Sequence, residues 1–478
     1  MPGYPYRQVK LLIICVSIIF CFTAISIMIT RTNCYSRPQN EYVYKVPEKT
    51  DDGWETSSLR EEGVDPERIN ELIVGILNEK YKKIHSVLLV KNGKLILEEY
   101  FHGYNREKLH EIRSATKSIG SILTGISIDH RFINDVNEKI YPYFKDYEPE
   151  EKWDKRAGDV TLKTLLTMTS GYDCDDHATP PFQCERNMHK TNDWVEYALN
   201  LPMAYPPGEH WAYNSSSLIL VSEIISKTSK MTIPDFANQY LFEPLGITDF
   251  QWGFSPKGRA FIAGNAKMKP RDMAKVGYMF LNNGKWKGKQ IISKKWIEES
   301  SRVHTTADTG EKYGYLWWGG KTVISNQYIE GYWAAGNGGQ YIFVCPKVDL
   351  VAIFNGGNYN SPLEVQPLGM LINYIIPAML PPGPPRKTTK LDLKILEASR
   401  GVYKFRQHIL TVFREGDKLY GQALGEKVEL FPQTENQFFG TSKVGGSIQI
   451  NSVKDKNGEV KHVIVHFGFM RMQFDKIK

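Results

Sequence analysis

The chain has 478 residues, of which 24% are charged, and a formal net charge of +7. A chain of this length and composition is globular, can bury a large core and should hold about two to three domains. It contains no nucleic-acid-binding motif, no Cys-x-x-Cys pair and no His-Glu-x-x-His sequence. We therefore predict no nucleic-acid partner, no bound metal and no cofactor.

An apolar run at residues 11–30 follows a short basic segment at the start of the chain. Such a run is long enough to cross a bilayer, and the basic residues ahead of it favour a cytoplasmic location for residues 1–10. The alternative is a signal peptide cleaved after Ser26, although signal peptides usually have a shorter apolar core of about 7–15 residues. Both readings place the rest of the chain outside the cytoplasm, in a periplasm or at a cell surface, with residues 31–54 as a polar tether.

A helix and a hairpin follow the tether. Apolar residues recur with helical spacing over Pro66–Glu79, and a proline near the start suits a first helical turn. Two apolar runs, 85–90 and 94–100, are joined by Asn92-Gly93, which is the strongest short hairpin signal. Adjacent strands that lead back into a helix favour an α+β fold with an antiparallel sheet flanked by helices.

Ser114 stands at the start of the next apolar helical run, within Ile112-Arg-Ser-Ala-Thr-Lys-Ser-Ile119. A serine in the first turn of a helix places its hydroxyl and its N–H near the positive end of the helix dipole, which stabilises a developing oxyanion. Lys117 lies one turn later on the same face, and a desolvated lysine can accept the serine proton. The alternative is an N-capping serine beside a solvated lysine.

The middle of the chain alternates short helices with polar loops. A helix at Leu162–Met168 is expected to end at Ser170-Gly171. A Pro-Gly turn leads into an aromatic loop that contains Tyr213, and Ser215–Ser217 can cap the helix that follows. Another amphipathic helix covers residues 271–282.

Cys174 and Cys184 flank a polar, proline-containing loop. They could close a disulfide in an oxidising compartment. Two free thiols remain the alternative, because spacing alone does not reveal cysteine pairing.

Strand-like runs at 313–318 and 333–345 surround a glycine-rich segment, where glycines would let a substrate backbone approach a strand edge. A proline-rich linker at 381–387 then ends this part of the chain. Residues 388–478 form short alternating runs, typical of a small antiparallel β-barrel or β-sandwich. Residues 386–478 carry 17 Lys and Arg against 10 Asp and Glu, which suits an anionic surface or, more simply, a solvated lysine-rich face.

Six blocks occur in a fixed order: SATK at 114–117, LLTMTSG at 165–171, PGEHWAYNSSS at 207–217, a long block at 264–292, YGYLWW at 313–318 and GNGGQYIFV at 336–344. Together they resemble the serine β-lactamase-related hydrolase superfamily, in its class C-like branch of penicillin-binding-protein-like enzymes, esterases and 6-aminohexanoate-oligomer hydrolases. The resemblance implies that residues 55–380 form an antiparallel sheet flanked by helices plus a helical subdomain, with the active site in the cleft between them. Residues 388–478 resemble the lipocalin-like module often appended to these hydrolases.

The resemblance also implies roles for three residues. Ser114 matches the acylated nucleophile, Lys117 its base, and Tyr213 the tyrosine that shuttles a proton between nucleophile and leaving group. A phenol near an ammonium group can share its proton, which suits this role. The alternative for Tyr213 is a loop aromatic packed beside Trp211.

Two departures from the family pattern affect the expected substrate. Ser215 replaces an asparagine found in many relatives; with Asn214 it is expected to contact the substrate, and its hydroxyl could bond Lys117. The family's Lys-Thr-Gly strand motif is absent, and backbone N–H groups of Gly336, Asn337 or Gly338 are expected to complete an oxyanion hole with Ser114. The missing lysine removes the cation that holds an antibiotic carboxylate.

These features predict an extracytoplasmic serine hydrolase that cleaves a small ester, amide or peptide-like substrate through an acyl-enzyme and is tied to a membrane by its N-terminal segment. A penicillin-binding D,D-peptidase or β-lactamase is one alternative. A non-catalytic, membrane-tethered binding protein that retains the fold is another. A conventional α/β-hydrolase is disfavoured because no Gly-x-Ser-x-Gly elbow occurs.

Overall fold

The computed structural model describes residues 42–478 with the exception of 148–153, 179, 181–182, 309, 326, 382–386, 406–407, 424 and 443–445. Residues 44–478 belong to one structural unit. The predicted membrane segment 11–30 and most of the predicted linker 381–387 lie outside the described residues. Within the described part of the chain, no helix has the length and apolar character needed to cross a bilayer.

The first fourteen strands form three sheets. In chain order they are β1 Glu55–Thr56, β2 Ile84–Lys91, β3 Lys94–Tyr100, β4 His110–Glu111, β5 Phe250–Gln251, β6 Lys267–Met268, β7 Lys285–Trp286, β8 Lys289–Gln290, β9 Thr305–Thr306, β10 Lys312–Tyr313, β11 Trp318–Ile324, β12 Gln327–Gly336, β13 Gln340–Cys345 and β14 Leu350–Gly356. The main sheet has nine strands in the order β1-β3-β2-β14-β13-β12-β11-β10-β9. Its neighbours are antiparallel except β1 and β3, and the smaller sheets have the orders β4-β6-β5 and β7-β8.

The α-helices are α1 Pro66–Leu77, α2 Thr116–Asp129, α3 Leu162–Leu166, α4 Gln183–Met188, α5 Trp194–Leu199, α6 Leu218–Ser229, α7 Ile233–Ala237, α8 Pro270–Leu281, α9 Lys294–Ser301, α10 Gln366–Met370 and α11 Leu393–Ala398. Two π-helical segments, Asn238–Phe242 and Leu371–Ile375, continue α7 and α10. The 3-10 segments are Arg113–Ala115, Tyr141–Phe144, Lys155–Asp159, Glu243–Leu245, Pro346–Val348, Pro362–Val365 and Pro377–Met379. The predicted α+β fold with flanking helices is confirmed.

Local sequence explains several of these elements. Asp65 caps α1 by accepting a hydrogen bond from the Glu67 N–H, and proline occupies the first turn. Asn92 and Gly93 have φ values of 51° and 77°, the left-handed pair that a tight β2–β3 hairpin requires. The helix and hairpin predictions are therefore confirmed.

Three sequence expectations need correction. α3 ends at Leu166, before the predicted Met168, whose φ of 59° is incompatible with a right-handed helix. The run 313–318 is not one strand, because Leu316 has a φ of 60° and turns the chain between β10 and β11. Ser217 is the N-cap residue of α6, but its side chain makes no capping bond to the helix.

The main sheet is buried on both faces, which explains why its central strands are continuously apolar. β14 is buried along its whole length. Ile342, Val344, Val351 and Ile353 alternate along β13 and β14 and join the core that includes residues of α2, α6 and α8. α1 packs against the π-helical segment Leu371–Ile375.

The C-terminal strands close into a barrel, which resolves the predicted choice between barrel and sandwich. They are β15 Gly401–Phe405, β16 His408–Glu415, β17 Lys418–Ala423, β18 Glu426–Thr434, β19 Gln437–Ser442, β20 Gly446–Lys454, β21 Val460–Phe467 and β22 Met470–Lys476. Apolar side chains pack together in its own core, including Tyr403, Leu419, Phe438 and Val463. An eight-stranded barrel of this kind is filled by side chains.

The turn between β21 and β22 contacts the main sheet. The ring of Phe469 lies 5.6 Å from that of Trp333 on β12 and 5.2 Å from that of Phe343 on β13. A Cβ added to Gly320 on β11 would meet the Phe469 carbonyl oxygen at 2.7 Å, so glycine is required for this approach. The barrel is thereby packed against the strands that border the candidate site.

Candidate active site

Ser114 lies in the 3-10 turn Arg113–Ala115, directly before α2. The turn is held at both ends: the Ile112 N–H donates to Ala266 O at 3.0 Å, and Thr116 Oγ1 donates to Arg113 O at 2.6 Å. Arg113 has a φ of 51°, an unfavourable conformation for a residue with a side chain. The structure therefore directs Ser114 by a strained turn rather than by the first α-helical turn that the sequence predicts.

Lys117, three residues after Ser114, is the candidate base that would accept the serine proton. Its Nζ lies 3.1 Å from Ser114 Oγ and 2.8 Å from Ala263 O, and the residue is only 2% exposed. The 3.1 Å distance is within the range for proton transfer between a nucleophile and its base. The alternative of a solvated lysine is excluded by this burial.

Tyr213 completes a three-residue group around the nucleophile. Lys117 Nζ lies over its ring, 4.8 Å from the centroid. Trp318 at the start of β11 has its ring 5.9 Å from that of Tyr213, and Trp211 lies at 6.1 Å. Tyr213 therefore both packs near Trp211, as one prediction had it, and lies close to Lys117, as the other had it.

Asn214 and Ser215 are buried between Tyr213 and α6. Asn214 Oδ1 accepts a hydrogen bond from the Ser217 N–H at 3.0 Å, which orders the turn that leads into α6. Ser215 donates its N–H to Asp176 Oδ2 at 2.9 Å. Ser215 Oγ and Asn214 Nδ2 are buried without a hydrogen-bond partner among the described residues, so the bond expected between Ser215 and Lys117 is not formed in this structure.

The end of β12 forms the opposite wall of the site. A Cβ added to Gly336 would lie 2.2 Å from Ile112 O and 3.1 Å from Ser114 N, so only glycine lets the strand approach the nucleophile turn this closely. Gly336 O accepts a hydrogen bond from Gly339 N at 3.3 Å, which directs the peptide groups of Gly336 toward β13. The Gly338 N–H donates to Glu364 Oε2 at 3.2 Å. Two of the three predicted oxyanion donors are thus directed elsewhere.

The backbone N–H of Ala335 is a further candidate donor, because it lies at the edge of β12 where no neighbouring strand of the described chain pairs with it. Successive residues of a strand direct their N–H groups to opposite sides, so the Ala335 N–H faces away from β13. β11, the neighbour on that side, pairs with β12 only as far as Trp333. The Ala335 N–H therefore lies beyond the end of β11, at the edge that borders the nucleophile turn. Asn337, the remaining predicted donor, pairs with Asn360 through its side chain, and this contact leaves its backbone N–H as a second candidate donor beside that of Ala335.

Cys174 and Cys184 are joined in a disulfide, with their Cα atoms 5.9 Å apart. Asp176 lies beside them, and the ligand atoms of the three residues fall within 4.8 Å of one another. Because the two sulfur atoms are bonded to each other, they are not metal ligands in this structure. Glu185 follows Cys184; burial raises the pKa of its carboxyl, whereas the positive charge of Lys117 acts in the opposite direction.

Sequence reasoning missed Ala335, Asp176, His177 and Trp318. An acidic residue inside a loop bounded by two cysteines was a weak signal for Asp176. A backbone N–H is present in almost every residue type, so the sequence gives no sign of its role. Ala335 could be identified only from the pairing of β12 with its neighbouring strands.

Comparison with known proteins identifies the family. The sequence model described as "Beta-lactamase" matches residues 84–363, more than half of the chain. The chain belongs to the β-lactamase family. The matched range contains Ser114, Lys117 and Tyr213, so this β-lactamase-family site lies wholly within it.

Individual relatives of this β-lactamase-family chain are distant. It is 23% identical to the 6-aminohexanoate-dimer hydrolase of Paenarthrobacter ureafaciens over 292 residues, which cover 55% of the chain and 70% of that enzyme. It is 28% identical to the lovastatin esterase of Penicillium rubens over 138 residues, or 27% of the chain and 33% of the esterase. The octameric penicillin-binding protein homologue of Pyrococcus abyssi superposes with a TM-score of 0.50 at 18% identity, over 86% of this chain and 99% of the homologue, which shows a shared fold.

Proposed function

We propose that this protein is an extracytoplasmic serine hydrolase that cleaves a small ester or amide through an acyl-enzyme on Ser114. The observation that carries the proposal is the 3.1 Å contact between Ser114 Oγ and a buried Lys117 Nζ that also lies over the ring of Tyr213. These three side chains can supply the nucleophile, the base and the proton donor that acyl transfer requires.

The reaction would proceed in two stages. Lys117 accepts the Ser114 proton while Oγ attacks the substrate carbonyl carbon. The N–H groups of Ser114 and Ala335 stabilise the oxyanion, and Tyr213 passes a proton to the leaving alcohol or amine as its bond to the carbonyl carbon breaks. Water then attacks the acyl-enzyme with the same groups acting in reverse, which releases the acid and restores Ser114.

The aromatic surroundings of Tyr213 support a substrate with an apolar acyl group. Trp211 and Trp318 surround Tyr213, and aromatic side chains favour apolar or planar groups. The absence of a Lys-Thr-Gly lysine removes a binding group for a β-lactam carboxylate. The relatives named above include an amide-cleaving and an ester-cleaving enzyme by name, which fits this class.

The test is intact-protein mass of the full-length chain after reaction with an activated ester, a penicillin and a fluorophosphonate. We expect a fluorophosphonate adduct on the wild type and on Ser127→Ala, whose hydroxyl bonds only within its own helix, and none on Ser114→Ala. Fast ester turnover with a weak penicillin adduct would support the esterase or amidase assignment. A persistent penicillin adduct would indicate a D,D-peptidase instead. A folded wild type that none of the three reagents modifies would contradict the hydrolase proposal and favour a binding protein.

The extracytoplasmic location rests on the apolar run 11–30 and on the Cys174–Cys184 disulfide, because structural disulfides persist in oxidising compartments. It predicts that protease added to intact cells degrades the hydrolase part. Protection until the cells are lysed would contradict this location.

A further inference from the structure

The loop closed by the Cys174–Cys184 disulfide contacts the Tyr213 segment through its backbone. The Asp176 N–H donates to Tyr213 O at 2.7 Å. In the other direction, the Ser215 N–H donates to Asp176 Oδ2 at 2.9 Å. One residue therefore binds the peptide groups on both sides of Asn214 and holds the loop on which Tyr213 is carried.

The Asp176 carboxylate is itself deeply buried, with 0% of the residue exposed. Its other oxygen, Oδ1, lies 3.4 Å from the N–H of Glu185, the residue after Cys184. A buried carboxylate is unfavourable unless hydrogen bonds satisfy it, and here backbone N–H groups from two different segments do so. Displacing either segment would leave the charge unsatisfied, which makes the arrangement resistant to movement.

The same loop also contacts the ring of Tyr213. The imidazole of His177 is stacked on that ring, with 4.5 Å between centroids and 10° between planes. A second ring, that of Trp318, lies 5.9 Å from that of Tyr213 at 27° and 6.4 Å from that of His177. The loop thus restrains both the backbone and the side chain of the tyrosine.

We infer that Asp176, held in place by the Cys174–Cys184 loop, is a positioning residue that keeps Tyr213 in register with Ser114 and Lys117. The inference rests on the proposed function of Tyr213 as the proton shuttle. Proton transfer is sensitive to position, and a displacement of about 1 Å can lower a rate about 100-fold. Asp176 acts through Tyr213 and does not contact the reacting atoms.

A double-mutant cycle with Tyr213→Phe tests this role. In the wild-type background we expect Asp176→Ala to lower kcat for an activated ester about 10- to 100-fold with little change in KM. In the Tyr213→Phe background the same substitution should change kcat less than about 3-fold, because the group it positions is gone. Equal losses in the two backgrounds would overturn the inference. The exposed Asp173, which immediately precedes the disulfide loop, supplies the control variant Asp173→Ala.

Asp176→Asn and the Cys174→Ser/Cys184→Ser pair provide milder changes if Asp176→Ala does not fold. Asparagine keeps the shape but places an amino group against one of the two N–H donors. The serine pair leaves Asp176 intact and frees its loop. Both should show the same dependence on Tyr213, and an additive loss from either would contradict the inference.

Nitration of Tyr213 by tetranitromethane gives a readout that is independent of activity. Tyr213 is 4% exposed, so we expect slow nitration in the wild type and in Asp173→Ala, and faster nitration in Asp176→Ala or Asp176→Asn. A Tyr213 that stays protected in folded Asp176 variants would overturn the inference even if the protein proves to be no hydrolase. A wild type without acylation but with the expected nitration pattern would contradict the proposed function alone.

Discussion

At the scale of single residues, the candidate site depends on burial as much as on residue type. Lys117 is one of the most deeply buried lysines of the described chain, and its amine is shared between Ser114 Oγ and Ala263 O. Because Lys117 is buried and bonded to Ala263 O, its amine is held within hydrogen-bond distance of the Ser114 hydroxyl, as proton transfer between a nucleophile and its base requires.

Lys117→Met removes the amine but retains an unbranched apolar side chain of similar length. We expect kcat/KM for an activated ester to fall about 10²- to 10⁴-fold, the range for losing a general base. The fold should persist, since the buried stem is replaced by a side chain of comparable volume. Ester hydrolysis and thermal unfolding of the same preparation check both parts. Activity within about 3-fold of wild type would exclude Lys117 as the base.

Among the secondary-structure elements, β12 and β11 define the position of the site, because β12 extends past the point where its pairing with β11 ends. The pairing ends at Trp318 and Trp333, and the following residues border the nucleophile turn. β12 thereby serves as a strand of the sheet along most of its length and as one side of the cleft at its end. The glycine at its last position permits this approach to Ile112 and Ser114.

Ala335→Pro deletes the N–H that we assign to the oxyanion hole. Because this N–H faces away from β13, its loss should spare the hydrogen bonds between β12 and β13. We expect kcat to fall about 10²- to 10³-fold, as for other oxyanion donors. Ala335→Gly keeps the N–H and should remain close to wild type. Ester turnover unaffected by proline would place the second donor elsewhere.

His110 on β4 lies three residues before the nucleophile turn and contacts His85 on β2. The distance from His85 Nδ1 to His110 Nε2 is 2.8 Å. Burial, followed by the charges of His110, His102, Lys108 and Lys83, lowers the pKa of His85 to about 4, and burial also lowers that of His110. The unfolded chain takes up these protons near pH 6.5, before the folded chain does. The free energy of unfolding should therefore decrease as the pH falls from about 6.5 to about 4.

Urea unfolding across that pH range measures the effect. His85→Gln removes one of the titrating groups and should flatten the pH dependence. An unchanged slope in this variant would show that other groups cause the acid sensitivity.

At the scale of the whole molecule, the barrel and the main sheet meet at the site's outer border. Phe469 packs against both Trp333 and Phe343, and Trp333 is separated from Ala335 by a single residue. The barrel core is separate from the core of the main sheet, so each part has its own apolar interior. The Phe469 contact is therefore a connection between two individually packed structures.

Phe469→Ala should reduce the free energy of unfolding by about 3–5 kcal/mol, the usual effect of removing a buried phenylalanine ring. Phe431→Ala, at a barrel residue that is 40% exposed, should change it by less than about 1 kcal/mol. Chemical denaturation of the full chain measures both values. Equal effects of the two substitutions would show that Phe469 contributes nothing as a link between barrel and sheet.

Several features were predictable from the amino-acid sequence because short-range geometry sets them. The Asn92-Gly93 hairpin, helix α1 with its cap and proline, and the Ser114–Lys117 pair each depend on residues a few positions apart, where backbone geometry dictates proximity. The strands of the C-terminal barrel were equally predictable, because alternation and turn residues define them locally.

The rest of the proposed site depends on contacts that form only in the folded chain. The role proposed for Ala335 depends on where β11 stops pairing with β12, and the role proposed for Asp176 depends on hydrogen bonds to a segment distant in sequence. The strain at Arg113 likewise follows from packing, because no residue type requires a positive φ there. Contacts between distant segments depend on the register and burial of the complete fold, which local residue patterns do not specify.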